Sequence, residues 1–235
     1  MILSPAEAAA TRTERTVALA ACPAVLFLLL VSTLALHNGA PTGPDRLVHH
    51  WAVDHRPDGL SAAAHLLTAT GTGPLPYVVA LLAGWTACPR SATPRQEIMA
   101  ALAAVATLLT GQGVRAAVTA ALARPRPPLA HWAASVTGSS FPSGHTTTTA
   151  LAAGLLGWAA VRSGAPPAVV RTGLAVCVCT SLITGLTAVY LGVHWPTDVL
   201  GAWLLAATWL ALTLPLLSTL VAPRERERES GGTEA

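Results

Sequence analysis

The sequence predicts an all-α, polytopic membrane protein: a six-transmembrane-helix bundle with both termini cytoplasmic. Three observations carry this expectation. The 235 residues are 52% hydrophobic and only 11% charged, whereas soluble domains average about 25% charged residues. Apolar stretches close to the roughly 20 residues needed to span a bilayer recur at about 16–36, 69–88, 98–120, 146–163, 172–191 and 199–221. The fourteen basic residues, all arginine, are spread unevenly among the connections.

The first stretch follows Arg12 and Arg15. It is too long for a signal-peptide core and lacks a small-residue cleavage site, so an uncleaved span is expected after a cytoplasmic segment, 1–15. The second stretch is interrupted by Gly71, Gly73, Pro74 and Pro76. The third carries Arg115 inside apolar sequence, where a charge is costly and marks function. Gly111-Gln112-Gly113 in the same stretch is a weak sign of a broken, transporter-type helix. The fourth is short and begins with four threonines, Thr146 to Thr149, as suits a helix opening onto a water-filled cavity. The sixth ends near 222, which makes 16–222 one membrane domain. The remainder, 223–235, alternates arginine with glutamate and reads as a disordered cytoplasmic tail.

Arginine placement orients the bundle. Arg12, Arg15, Arg90, Arg95, Arg162, Arg171, Arg224, Arg226 and Arg228 all fall on one side of six spans, which is therefore cytoplasmic. The opposite side receives the connections 37–68, 121–145 and 192–198. The first of these, with Trp51 among His49, His50, Asp54, His55 and Arg56, suits an interfacial amphipathic helix with Trp51 at headgroup level. His50, Asp54 and His55 lack a further ligand to complete a metal set, and no metal or cofactor is expected. Cys22, Cys88, Cys177 and Cys179 read as small apolar residues of membrane helices; the last two lie about 200° apart around a helix. A net charge of +3 gives no argument for nucleic acid.

Two histidine motifs fall together on the outer side. Ser143-Gly144-His145 opens the fourth helix. A serine at the N-cap, free backbone N–H groups and a glycine permitting close approach make an anion site, and the same residues also start ordinary helices. His194 and Asp198 flank Pro196, which suits the first turn of the sixth helix. A carboxylate so placed can hold one imidazole nitrogen protonated and leave the other nucleophilic; a helix cap beside Trp195 and Tyr190 is the plainer use. Arg124-Pro125-Arg126-Pro127-Pro128 puts two arginines on the outer side, against the positive-inside tendency, and arginine forks match phosphate oxygens.

In order and spacing, residues 98–221 resemble the type-2 phosphatidic acid phosphatase family, membrane lipid phosphate phosphatases that share a site with vanadium haloperoxidases. Arg126-Pro127 fits the end of the family's first motif. Pro142-Ser143-Gly144-His145 fits the second, and His194 and Asp198 fit the third, with Tyr190, Leu191, Gly192 and Val193 alongside. The resemblance implies that His194 attacks phosphorus to form a phosphohistidine, that Asp198 orients it, and that His145 protonates the leaving oxygen. Arg126, Ser143 and Gly144 would hold the phosphate, with no metal. Two family cations are replaced: the first-motif lysine by Thr119, and the Ser-Arg of the third motif by Thr187 and Ala188.

Arg115, one turn before Thr119, and Arg124 are the candidate substitutes. Side chains on a helix lean toward its N-terminus, which would carry Arg115 away from the outer side. The expected activity is hydrolysis of a lipid phosphomonoester or pyrophosphate, isoprenoid or phosphatidyl-type, at the extracytoplasmic face of the cell membrane. The alternative is a weakened member that binds anionic headgroups without efficient turnover. The oligomeric state is not readable.

Overall fold

A computed structural model of the chain describes residues 5–57, 64, 71 and 73–221, with side chains from residue 21 onward. The tail expected at 223–235, the end of the 37–68 connection and the start of the second apolar stretch lie outside the described residues. Seven α-helices are present among the described residues: α1 (Pro5–Leu36), α2 (Gly43–Asp54), α3 (Leu75–Thr86), α4 (Pro94–Leu122), α5 (Gly144–Arg162), α6 (Pro167–Tyr190) and α7 (Pro196–Leu220). A 3₁₀ turn, Leu129–His131, lies between α4 and α5, and no described residue is in a strand.

A helix stands at each of the six apolar stretches, with α2 as a seventh in the first outer connection. By length and composition α4, α6 and α7 can cross a membrane, and Ala21–Leu36 and α3 are shorter apolar helices. Helix starts follow local chemistry. Pro94, Pro167 and Pro196 occupy first turns, where a missing N–H costs nothing. Thr93 and Gln96 form a reciprocal capping box on α4.

One expectation about the helices, the water-facing threonines of α5, is corrected. α1 begins at Pro5 rather than near 16, so most of the segment 1–15 continues the first helix. α4 runs unbroken through Gly111, Gln112 and Gly113, because glycine lowers helix propensity without preventing a helix whose neighbours supply the packing. The threonines at the start of α5 face protein: Thr146 and Thr147 have no exposed surface, and Thr148 and Thr149 have little. Thr147 and Thr148 donate back to the carbonyls of Ser143 and Gly144, and Thr146 donates to the Ser143 hydroxyl. Intrahelical bonding of this kind lets a hydroxyl be buried without water.

α5 packs on α3, α4, α6 and α7, and α1 lies along α7. The main apolar cluster joins Ala83, Leu108, Leu151, Leu155 and Ala206 from four helices. Small residues permit close backbone approach, the usual route to tight packing in a bilayer. At Gly84 of α3, an added methyl carbon would stand 2.4 Å from the Ala100 carbonyl oxygen of α4. At one end of the bundle Arg162 donates to the carbonyls of Ala87 and Val221, collecting the ends of α3, α5 and α7. The opposite end gathers the C-termini of α1, α4 and α6 with the N-termini of α5 and α7, and α2 packs across α6 and α7 there.

Candidate active site

Both histidine motifs occupy that second end, tied by backbone. The Ser143 N–H donates to the Asp198 carbonyl at 3.1 Å, and the Ser140 N–H donates to the Arg124 carbonyl at 2.8 Å. Between them Phe141 is fully buried and stacks on Phe27 of α1, with centroids 6.0 Å apart. An apolar anchor thus sets the height of α5's N-terminus against the start of α7.

The α6–α7 turn is tight. Gly192 has φ +74°, and a methyl group there would lie 2.3 Å from the His131 carbonyl oxygen, so this position requires glycine for both conformation and space. Val193 and His194 follow, and α7 opens at Pro196. Asp198, in the first turn, reaches back to accept from the Trp195 N–H at 2.8 Å. His194 therefore sits just outside the helix and Asp198 just inside, as expected.

Asp198 Oδ2 lies 3.4 Å from His194 Nδ1 and accepts the Ser140 hydroxyl at 2.5 Å. Its Oδ1 accepts Arg124 Nη1 at 2.5 Å. The other imidazole nitrogen, Nε2, lies 3.1 Å from Arg126 Nη1. Since an arginine N–H only donates, this contact needs a lone pair on Nε2 and hence the proton on Nδ1, facing Asp198. Burial pulls the His194 imidazolium below its ordinary range, and Arg126 adds to this, while Asp198 and the Ser140 backbone oppose it. The Arg126 contact and burial both favour the neutral ring.

Arg126 is held by four carbonyls: Nε donates to Gly138, Nη1 to Val193, and Nη2 to Thr137 and Ser139. Burial and neighbouring Arg115 push against its charge, and Asp198 supports it. His145, in the first turn of α5, is within electrostatic reach of His194, Arg126 and Arg115. No hydrogen bond to a described residue ties its ring.

Arg115 points toward the site. Its Nη1 donates to Thr119 Oγ1 at 3.4 Å, and a methyl group on Gly144 would stand 3.3 Å from that same nitrogen. The lean toward the helix N-terminus is overridden because a long flexible stem lets the guanidinium turn to the polar end of the bundle. Among the described residues neither Arg115 nor Arg126 has an ion pair with a carboxylate.

Arg124, expected as a phosphate ligand, is placed elsewhere. It has no exposed surface and is the largest fully buried side chain among the described residues. Nη2 pairs with Asp45 at 2.7 Å, Nη1 with Asp198 and with Thr197 Oγ1, and Nε with the Gly39 carbonyl. A buried guanidinium must be matched on all sides, and these partners turn it behind Asp198, away from Arg126. Ser143 sits at the N-cap of α5 without capping; its hydroxyl accepts from Thr146. Ala188 is buried against Ala64, Leu191 and Val193, and the Thr187 hydroxyl bonds to carbonyls of its own helix.

Sequence reasoning missed Asp45, Ser140 and Thr197. Asp45 Oδ2 accepts the Thr42 N–H and Oδ1 accepts the Thr197 N–H, while the Thr197 hydroxyl contacts both oxygens. Burial alone would raise the Asp45 carboxyl, but the backbone N–H groups of Thr42 and Thr197, with Arg124, hold it below the usual range. The Thr42-x-x-Asp45 spacing is a readable helix start, yet nothing local pairs it with Arg124. α2 does form, with its polar side inward: Asp45 and His49 are buried, and Leu47 and Trp51 are exposed. His49 Nε2 lies 3.0 Å from His131 Nδ1, and burial, with His131, His50 and Arg56, lowers its titration to about 4. Among the described residues no three His, Cys, Asp or Glu side chains form a metal-ligand group.

The site thus offers a neutral imidazole with an outward lone pair, a carboxylate behind it, two arginines and a second imidazole in front. The PAP2 superfamily model matches residues 98–221. The crystal structure described as that of the first transmembrane PAP2 type phosphatidylglycerolphosphate phosphatase, from Bacillus subtilis, superposes with a TM-score of 0.71 at 20% identity, covering 88% of this chain and 99% of that one. No curated protein sequence matches.

Proposed function

Because the chain belongs to the PAP2 superfamily, we propose that it is a multi-pass membrane phosphatase that removes phosphate from a lipid phosphomonoester or pyrophosphate through a phosphohistidine on His194. The observation that carries this reading is the polarity of His194: Nδ1 faces a carboxylate and Nε2 faces a guanidinium. In the proposed reaction Nε2 attacks phosphorus in line, and the bond from phosphorus to the leaving oxygen breaks. His145 gives that oxygen its proton. His145 then takes a proton from water as the water oxygen attacks phosphorus, the P–N bond breaks, and inorganic phosphate leaves with His194 restored.

Arg126, Arg115 and the Gly144 N–H are the donors for the equatorial oxygens, where charge grows in the transition state. Arg115 takes the place of the missing first-motif cation beside Thr119. Orientation follows from the arginine distribution: six spans, both termini cytoplasmic, and the site on the extracytoplasmic face. An apolar groove of about 420 Å³ between α2 and α6, lined by Val48, Trp51, Ile183, Leu186 and Tyr190, lies at the same end and suits a lipid tail.

The test is phosphate release by the purified protein in detergent from a panel of isoprenoid and phosphatidyl phosphates. The parent should turn over, with kcat/KM falling toward acid as His194 protonates and toward alkali as His145 loses the proton it must donate, since burial and neighbouring His194, Arg126 and Arg115 disfavour the His145 imidazolium. His194→Ala should lose about 10⁴-fold or more. A folded parent that releases no phosphate, and gains release in Thr119→Lys, would show that Arg115 does not replace the lost cation. Binding of anionic headgroups without turnover in either protein would favour the weakened-member reading.

A further inference from the structure

The buried cluster behind His194 reaches outside the family-matched region. Asp45 lies on α2, and its carboxylate is fully buried against Arg124 and Thr197. Arg124 bridges it to Asp198, and Asp198 faces His194 Nδ1. Thr197, inside the first turn of α7, gives both its N–H and its hydroxyl to Asp45, so α2 also holds the backbone that carries Asp198.

Charge counting gives these contacts a consequence. One guanidinium stands between two carboxylates, leaving a net charge of minus one. If Arg124 paired with Asp198 alone, the guanidinium would neutralise it, and the carboxylate would attract the Nδ1 proton less. Sharing Arg124 with Asp45 preserves negative potential at Asp198. Asp198 also keeps its geometry, because Ser140 and the Trp195 N–H fix Oδ2 while Arg124 fixes Oδ1.

We propose that Asp45 is a positioning residue for the His194–Asp198 pair: by sharing the Arg124 guanidinium it preserves negative charge at Asp198 and holds the first turn of α7 in register with His194. The proposal rests on the phosphohistidine reading for its use in catalysis, but the charge coupling itself is measurable without turnover. The other groups facing His194 are Arg126 after α4, His145 on α5 and Ser140 before α5, with Arg115 of α4 one step further. None of them changes in the variants below.

The experiment is a ¹⁵N-histidine NMR titration of the full chain in detergent, with the His194 signal assigned by His194→Ala. Asp45→Asn removes a negative charge and should lower the His194 midpoint by about 0.5 to 1 pH unit. Asp45→Glu should stay within about 0.3 unit of the parent. Asp45→Asn/Arg124→Gln restores the net charge of minus one and should return the midpoint toward the parent value. A residue that merely supports the fold predicts lower melting temperatures without this sign pattern.

An unmoved midpoint in folded Asp45→Asn overturns the proposal. So does a double variant displaced as far as the single one. If Asp45→Asn does not fold, the double variant decides alone: a parent-like midpoint supports the coupling, and one displaced by more than about 0.5 unit sinks it. Phosphate release from the same proteins should show kcat lowered about tenfold in Asp45→Asn, with KM changed less than about threefold. A parent without phosphatase activity would remove the catalytic use of the coupling and leave the titration result standing.

Discussion

The two sides of the His194 ring are built on opposite principles. Behind it, Asp45, Arg124 and Asp198 are fully buried and bonded to one another, with Thr197 and Ser140 filling remaining positions. In front, Arg126, Arg115 and His145 face each other, and no described carboxylate pairs with either arginine. Arg124 and Arg126 are two residues apart and end on opposite sides of one imidazole. Buried charge is tolerated only when matched, so the rear cluster is a closed set that fixes geometry. The front is unmatched in a partly buried place, and a bound anion would supply what it lacks. Excess charge of one sign, rather than charge as such, distinguishes where a ligand is expected from where the scaffold is held.

The largest expected effect comes from breaking the rear side at its centre. Asp198→Asn keeps the shape but presents a mixed donor and acceptor to His194 Nδ1, favouring the wrong tautomer. Phosphate release should fall by about 10⁴-fold, the scale seen when an orienting carboxylate is lost. A drop below tenfold in folded protein would mean that Asp198 does not set the tautomer.

On the front side, Arg115→Met should reduce kcat/KM by about 10²- to 10³-fold, the typical loss for one oxyanion-stabilising donor. Among the described residues Arg115 touches no carboxylate, so its removal should leave the melting temperature nearly unchanged. Loss of stability without loss of rate would reassign it to the scaffold.

The smallest effect concerns His49, at the edge of the rear cluster, against His131 and Trp195. Folding lowers its titration from 6.5 to about 4. The unfolded chain therefore binds more protons between those values, and stability should fall as pH drops from about 6.5 toward 4. His49→Gln removes this contribution, so the melting temperature should depend less on pH in that window. An unchanged slope would show that His49 is not held neutral in the folded protein.

Much of this was legible in the chain because membrane helices are announced by local composition. Each apolar stretch became a helix, and Pro196 marked the start of α7 correctly. His194 and Asp198 were readable as a pair because four residues across a helix start is a local distance. Arg115 was readable as a candidate from its charge in apolar sequence, although the direction of its side chain was not. Ser143 takes the N-cap position as read but does not cap α5, because its hydroxyl accepts from Thr146 within its own turn.

By itself, then, the sequence determined an α-helical membrane protein with two histidine motifs at one end, because periodicity, hydropathy and turn chemistry act over a few residues. Only the tertiary structure decided which arginine serves which side of His194. Arg124 meets Asp45 across 79 residues and Asp198 across 74, and Arg115 meets Gly144 between two helices. Such pairings depend on where helix ends converge and how buried charges are balanced there, and no local pattern records either.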